Sequence, residues 1–369
     1  MKPYRSEDED VQRLHSACAE PLSNEPLPSL PTFVAALNFA GELSTTQYEG
    51  EPLACALLLI GEHAQLSGFS IPLNSAPLTA LRSLAAAGTG GQLVVREVAN
   101  NLELVGLDLP GYDQPFGIRF SFTTAQRVFV GASGLLVGAS RAGRGITVFD
   151  GYPTPQEYLA PAMLGAVTPD RLIALLSATR EHGHGGTIIL DPTEKADWGT
   201  PLVGEIAAWG FASRPAELID DPVARAEFLA RAPVQVNRAT RQRFPLQDRE
   251  FIARQEERLS HVLRMLGRLT RSDGAVVVRP SLDLLAIGRR LLGDPPDLVF
   301  RNSVLDGPDD SVTPCKPSEL GGTRIQSAIG FVATHPSTVA LVVSSDGPVR
   351  MVYSKGNRVR VLEGVEAFL

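Results

Sequence analysis

Two short segments in the C-terminal third carry residue types suited to a phosphorylated ligand. In Ser272-Asp273-Gly274-Ala275 a carboxylate stands just before the apolar run Ala275-Val276-Val277-Val278. A carboxylate at the edge of a sheet can hold a divalent cation, and Gly274 and Ala275 leave backbone open to a flat ring. Asp-Gly before a strand is also common turn chemistry. The second segment is Leu320-Gly321-Gly322-Thr323-Arg324-Ile325-Gln326-Ser327-Ala328. Its glycines allow close backbone approach, Thr323 and Ser327 bring hydroxyls, and Arg324 brings a planar fork of donors that matches phosphate. The apolar residues that follow suit a helix start, and a helix N-terminus attracts phosphate. The plainer alternative is a glycine loop with a threonine cap and a solvent arginine. A third segment, His182-Gly183-His184-Gly185-Gly186, places two imidazoles two residues apart. No cysteine or third ligand lies nearby in sequence, so it reads as a helix stop before a strand rather than a zinc site.

The elements that must position these residues follow from periodicity. Asp248 to Thr270 has a helical apolar stripe that ends at Ser272-Asp273-Gly274. Ala275–Val278 reads as a buried strand, and 282–292 as containing a second strand or the turn of one. Residues 293–319, rich in Pro and Asp, read as a long irregular insertion. The last section alternates as strands, with Asp346-Gly347 and Lys355-Gly356-Asn357 as turns. Further upstream, Thr168 to Glu181 reads as a helix with Pro169 in its first turn, and Thr187–Leu190 as a strand. Short helices are expected around 203–209 and 222–230. Short β-rich runs separated by Gly, Pro and Asn fill 92–149 and predict antiparallel hairpins. Residues 53–60 read as a buried strand, and 32–43 and 76–87 as helices. The polar, acidic, proline-containing residues 1–30 read as a mobile tail. The polar, basic segment 232–243 reads as a boundary. The organisation expected is therefore a tail (1–30), an α/β domain (31–235) and a C-terminal domain (245–369). The fold class is α/β (α+β), with a C-terminal mixed sheet flanked by helices.

The chain has 369 residues and a net charge of -7, which argues against a general nucleic-acid binder. A local basic pocket for one nucleotide remains compatible with that charge. Three cysteines with no CxxC pair make a disulfide framework unlikely to be used and point to a reducing, cytoplasmic setting. The N-terminus lacks the apolar core of a secretory signal, and no apolar run is long enough for a bilayer, so no membrane partner is expected. Trp198 and Trp209 read as packing residues, and Arg238, Arg241 and Arg243 as a solvated patch.

In order, a helix, Asp273-Gly274-Ala275, a buried strand, Gly322-Thr323-Arg324, an Ala-Ile-Gly helix and Ala340-Leu341-Val342-Val343-Ser344 form a series that resembles the diadenylate cyclase domain. That family's hallmarks are Asp-Gly-Ala and Gly-Thr-Arg-His-Arg. The resemblance covers about residues 245–369. It implies that Asp273 holds a catalytic Mg2+ or Mn2+ ion and that Gly274 and Ala275 line the nucleotide pocket. It implies that Arg324 acts with Asp273 in any catalysis, and that Gly322, Thr323, Arg324, Gln326 and Ser327 form the phosphate-binding turn. Ser344 matches a serine of the same family. Across most of its length the chain also resembles bacterial sensor-domain proteins of the DACNV type, through residues 36–52 and the His-Gly-His-Gly-Gly-Thr segment. Two departures matter. Ile325-Gln326 stands where the family has His-Arg, which removes one cation from the phosphates, and Ser345 stands where an acidic residue is usual. Phosphoryl transfer depends on neutralising developing charge, so such a loss costs orders of magnitude in rate while binding can survive. The expectation is a nucleotide sensor for ATP or a cyclic dinucleotide. An active cyclase, which would need two domains face to face in a homodimer, and a scaffold without ligand are the alternatives.

Overall fold

The computed structural model describes residues 3–22 and 26–45, the segments named below between 47 and 193, and then 261–280, 282, 284–304, 312–345 and 348–369. Of the expected helix at 76–87 only Leu81 is described, helical and buried; the expected helices at 203–209 and 222–230, the boundary at 232–243 and the Asp346-Gly347 turn lie outside the described residues. The class is α/β (α+β): helices pack on sheets that mix parallel and antiparallel strands. Among the described residues no helix is long and apolar enough to cross a membrane.

The acidic start is not a tail. Residues Glu9–Ala17 form helix α1, and Ala19–Leu22 form α2. Glu9 and Asp10 favour the positive end of α1. Val11, Leu14 and Cys18 recur at helical spacing and are fully buried. The acidity is therefore helix-start chemistry, with a narrow apolar stripe beneath it. Helix α3 (Leu30–Thr45) buries Phe33, Ala36, Leu37 and Ala40 beside α1.

These helices cover the first sheet. Its strands are β3 (Cys55–Ile60), β4 (Ile71–Pro72), β5 (Gln92–Val98), β6 (Asn101–Asp108), β7 (Ile118–Thr123), β8 (Arg127–Ala132), β9 (Leu135–Arg141) and β10 (Gly145–Val148). A short ribbon, β1 (Gln47–Tyr48) with β2 (Glu51–Pro52), precedes them. The order is β10-β9-β8-β7-β3-β5-β6-β4. The hairpins expected over 92–149 are antiparallel, whereas β3 and β5 run parallel. Leu57, Leu59, Phe120 and Val130 share one core with Leu14, Phe33 and Leu37.

The second sheet carries the candidate site. Its strands are β11 (Gly186–Leu190), β12 (Ala275–Val278), β13 (Leu284–Arg289), β14 (Val299–Ser303), β15 (Thr313–Cys315), β16 (Val339–Val343), β17 (Val349–Lys355) and β18 (Arg358–Glu363). Their order is β13-β12-β11-β16-β17-β18-β14-β15. Helices α4 (Pro155–Met163), α5 (Pro169–Arg180) and α6 (residues 261–269) contribute to a core on one face, and α7 (Thr323–Thr334) covers the other. Period-2 alternation sorts the side chains. Ile188, Val276, Leu341 and Met351 join Leu172, Leu176 and Leu266. Ile189, Val277, Val342 and Val352 join Ile325, Ile329 and Phe331 of α7.

Two expectations about organisation change here. Strand β11, placed by the sequence reading in the N-terminal domain, lies between β12 and β16 in the middle of this sheet. Sequence distance hid the pairing, because about eighty residues separate β11 from its parallel partner and parallel strands need long crossovers. The unit bearing the candidate site therefore includes α5 and β11 and does not begin at 245. Likewise, 293–319 is not simply irregular. Strand β14 pairs parallel with β18, and β15 pairs with β14 at the sheet edge. Flanking prolines and aspartates masked two short strands, of which β15, containing Pro314, lies at the edge where proline is tolerated.

Candidate functional site

Strand β12 begins at Ala275, immediately after Asp273-Gly274. Gly274 has φ +98°, and a Cβ there would meet backbone of Gly288 at 2.7 Å and of Arg289 at 2.8 Å. Glycine is required by both space and dihedral. This close approach to β13 fixes where Asp273 leaves the sheet, with its side chain exposed and Ala275 buried.

Helix α7 opens at Gly322, which supplies no side-chain cap. The first helical bond runs from Gln326 N–H to Gly322 O at 3.3 Å. Backbone N–H groups of the first turn are thus left for an outside acceptor, at the positive end of the helix dipole. Leu320 and Ile325, both buried, anchor the turn on either side. Gly322, Thr323 and Arg324 are exposed, and Ser327 is half-buried one turn further in. Gln326 Nε2 donates back to Gly321 O at 2.9 Å. That side chain is turned toward its own loop.

The two segments meet through the one set aside as a helix stop. Arg324 Nη1 donates to His184 O at 2.9 Å. The following Gly185 has φ +65°, and a Cβ there would lie 2.4 Å from Val343 O and 2.9 Å from Ser344 C. Register completes the arrangement. Thr187 pairs with Ala275 on the parallel side, and Gly186 pairs with Val343 on the antiparallel side. The start of β11, the start of β12 and the end of β16 therefore lie at one end of the sheet, with the α7 N-terminus tied to them. Asp273, Gly274, Ala275, Gly185, Ser344, Thr323 and Arg324 share this end.

Ser344 is half-buried; its N–H donates to Pro348 O at 2.9 Å, and its Oγ accepts from Arg350 Nη1 at 3.4 Å. Arg350 and its partner Glu363 were not singled out in the sequence. Charges recur along both strands, so nothing in the sequence set this pair apart. The His184–Gly185 contribution was also missed. Its signal was two glycines directly before a buried strand, the same grammar as Gly274 before Ala275.

Behind the candidate site, the other face of the sheet holds a buried carboxyl group. Glu366 is 2% exposed and accepts from Val349 N–H at 2.9 Å. Burial pushes its carboxyl above the ordinary value, opposed by that N–H and by the Arg180 and Arg127 guanidiniums. Burial in turn lowers Arg180, whose Nε and Nη2 are sealed from solvent without a hydrogen-bond partner among the described residues.

Among the described residues no group of three or more His, Cys, Asp or Glu side chains could hold a metal ion. Asp273 is a single exposed carboxylate. Such a donor fits Mg2+ or Mn2+ that takes its remaining ligands from nucleotide phosphates and water, and does not fit a resident protein cage. No family model, curated protein or solved structure matches this chain.

Proposed function

We propose that the chain is a nucleotide sensor. It binds an adenine nucleotide or cyclic dinucleotide at the end of the second sheet, between Asp273-Gly274-Ala275 and the Gly322-Thr323-Arg324 turn. One observation carries the reading. Two segments about fifty residues apart, each chosen for its chemistry, share one sheet end: one opens β12, and the other is tied by the Arg324 to His184 bond to the start of β11, which pairs with β12. The uncapped first turn of α7 suits a phosphate, and Asp273 suits a metal that arrives with it. The order of motifs resembles the diadenylate cyclase domain.

Binding without efficient turnover is favoured by two details. Gln326 stands where a second arginine would grip phosphate, and it bonds to Gly321 instead. Arg324 spends one of its donors on His184 O. In this reading Gly274 and Ala275 accept the ring, Thr323 and Ser327 offer hydroxyls, Arg324 neutralises phosphate charge, and Ser344 closes the far side. Bound Mg2+ or Mn2+ would supply further phosphate neutralisation through Asp273.

Titration calorimetry of the full chain against ATP and cyclic di-AMP, with and without Mn2+, tests this directly. Saturable binding of at least one is expected. Silence toward both under all conditions removes the proposal. Product chromatography after incubation with ATP and Mn2+ separates a sensor from a cyclase, and a cyclase would also have to assemble as a homodimer.

A further inference from the structure

We propose that Arg350 is a second phosphate-binding cation of this site, gripping a phosphate ester of the bound nucleotide beside Ser344. The inference rests on the nucleotide-binding reading above and adds a residue that the motifs do not contain.

Alternation along β17 places Arg350 on the α7 side. Val349, Met351 and Tyr353 enter the opposite core, while Val352 packs with α7. Arg350 lies directly across from Glu363 on β18 and from Val342 on β16. Val342 is two residues before Ser344, so the guanidinium reaches the end of β16 where the site lies. Nε donates to Glu363 Oε1 at 3.0 Å, and Nη1 reaches Ser344 Oγ at 3.4 Å. The two side chains are only 17% and 21% exposed.

A cross-strand ion pair is by itself a common ladder feature. Here the pair does more. Glu363 occupies the Nε side of the fork and so fixes its plane. Nη1 is directed at a long, weak contact with a hydroxyl, and no described residue takes Nη2. A planar fork held on one edge is preorganised to accept two phosphate oxygens on the other. The Ser344 hydroxyl stands ready to donate to the same group. Gln326 has turned to Gly321 O, so the cation absent from the α7 turn is supplied from β17 instead. The ligand chemistry is a phosphate mono- or diester of a nucleotide.

The test uses the full chain and the probes ATP, cyclic di-AMP and AMP, each with Mg2+, in titration calorimetry at several salt concentrations. Arg350→Ala should weaken whichever probes the wild type binds by about tenfold or more, as expected for loss of a charge-assisted hydrogen bond. It should also flatten the dependence of affinity on salt, a readout that a purely structural ladder pair would not move. Arg350→Lys, which keeps the charge without the fork, should recover part of the loss and carries the test if the alanine variant fails to fold. Affinities within about twofold of wild type, with an unchanged salt dependence, would overturn the assignment. A wild type silent toward all three probes overturns the nucleotide reading itself, and this inference with it. That outcome is seen before any substitution is made.

Discussion

At the scale of single residues, the candidate site divides into exposed side chains and glycines that shape the backbone beneath them. Asp273 is exposed and carries no packing, so Asp273→Asn should leave stability within about 0.5 kcal/mol of wild type. Calorimetry in Mn2+ should nevertheless show ATP affinity falling about tenfold or more, down to the metal-free level, because a neutral amide is a poor metal ligand. An Asp273→Asn protein that binds as tightly as wild type in Mn2+ would remove Asp273 from the site. Gly274 behaves in the opposite way. A methyl there meets backbone at 2.7–2.9 Å on β13 and forces a non-glycine residue to φ +98°. Gly274→Ala should cost about 2–3 kcal/mol, read as a lower denaturant midpoint. In the sequence both stood out only together with the Gly322-Thr323-Arg324 segment, since Asp-Gly before a strand is common turn chemistry. Arg350 did not stand out. A lone arginine in an alternating strand signals nothing until its cross-strand partner and the adjacent Ser344 are in place.

At the scale of elements, the 3-10 turn Val365–Phe368 inserts Glu366 against β17 and the end of α5. Burial raises the folded-state carboxyl above its unfolded value. The folded state then holds the proton more tightly than the unfolded chain. Its stability contribution is full below the unfolded carboxylate pKa and declines as pH rises toward the folded value. Glu366→Gln can still accept from Val349 N–H and does not ionise. Relative to wild type it should therefore fare worst at acidic pH, where the wild-type carboxyl is protonated, and gain on wild type as pH rises across the carboxylate range. Calorimetric melting at a series of pH values checks this, and a variant that loses ground to wild type as pH rises would contradict the assignment. Helix α5 also precedes, in the chain, the His184–Gly185 segment whose carbonyl holds Arg324. The helix and the strand after it were readable from Pro169, the apolar spacing and the glycine stop. Their role in the site was not, because His184 contributes through its carbonyl, a group every residue has.

At the scale of the molecule, the second sheet closes only with β11 between β12 and β16. A fragment of residues 245–369 lacks that strand, which would leave two apolar edges facing a gap. It should show no cooperative thermal transition by circular dichroism, whereas the full chain should. Cooperative melting of the fragment would mean that β12 and β16 can pair without β11. The first sheet is joined to this unit by packing, since Phe129, Leu136 and Ala139 enter the core formed by α4, α5 and the second sheet. Arg119 Nη2 also donates to Leu369 O at 2.8 Å. By itself the sequence determined much of the local grammar: most of the central strands and helices, and where glycines interrupt them. These depend on neighbouring residues, so periodicity and turn chemistry suffice. Only the tertiary structure decided that the acidic start is a packed helix, that β11 belongs to the site-bearing sheet, and that β14 and β15 extend it. It alone brought His184, Ser344, Arg350 and Glu363 to the same end as Asp273 and Arg324. Those outcomes rest on pairings between residues far apart in the chain, where register and burial choose the partner and local sequence does not.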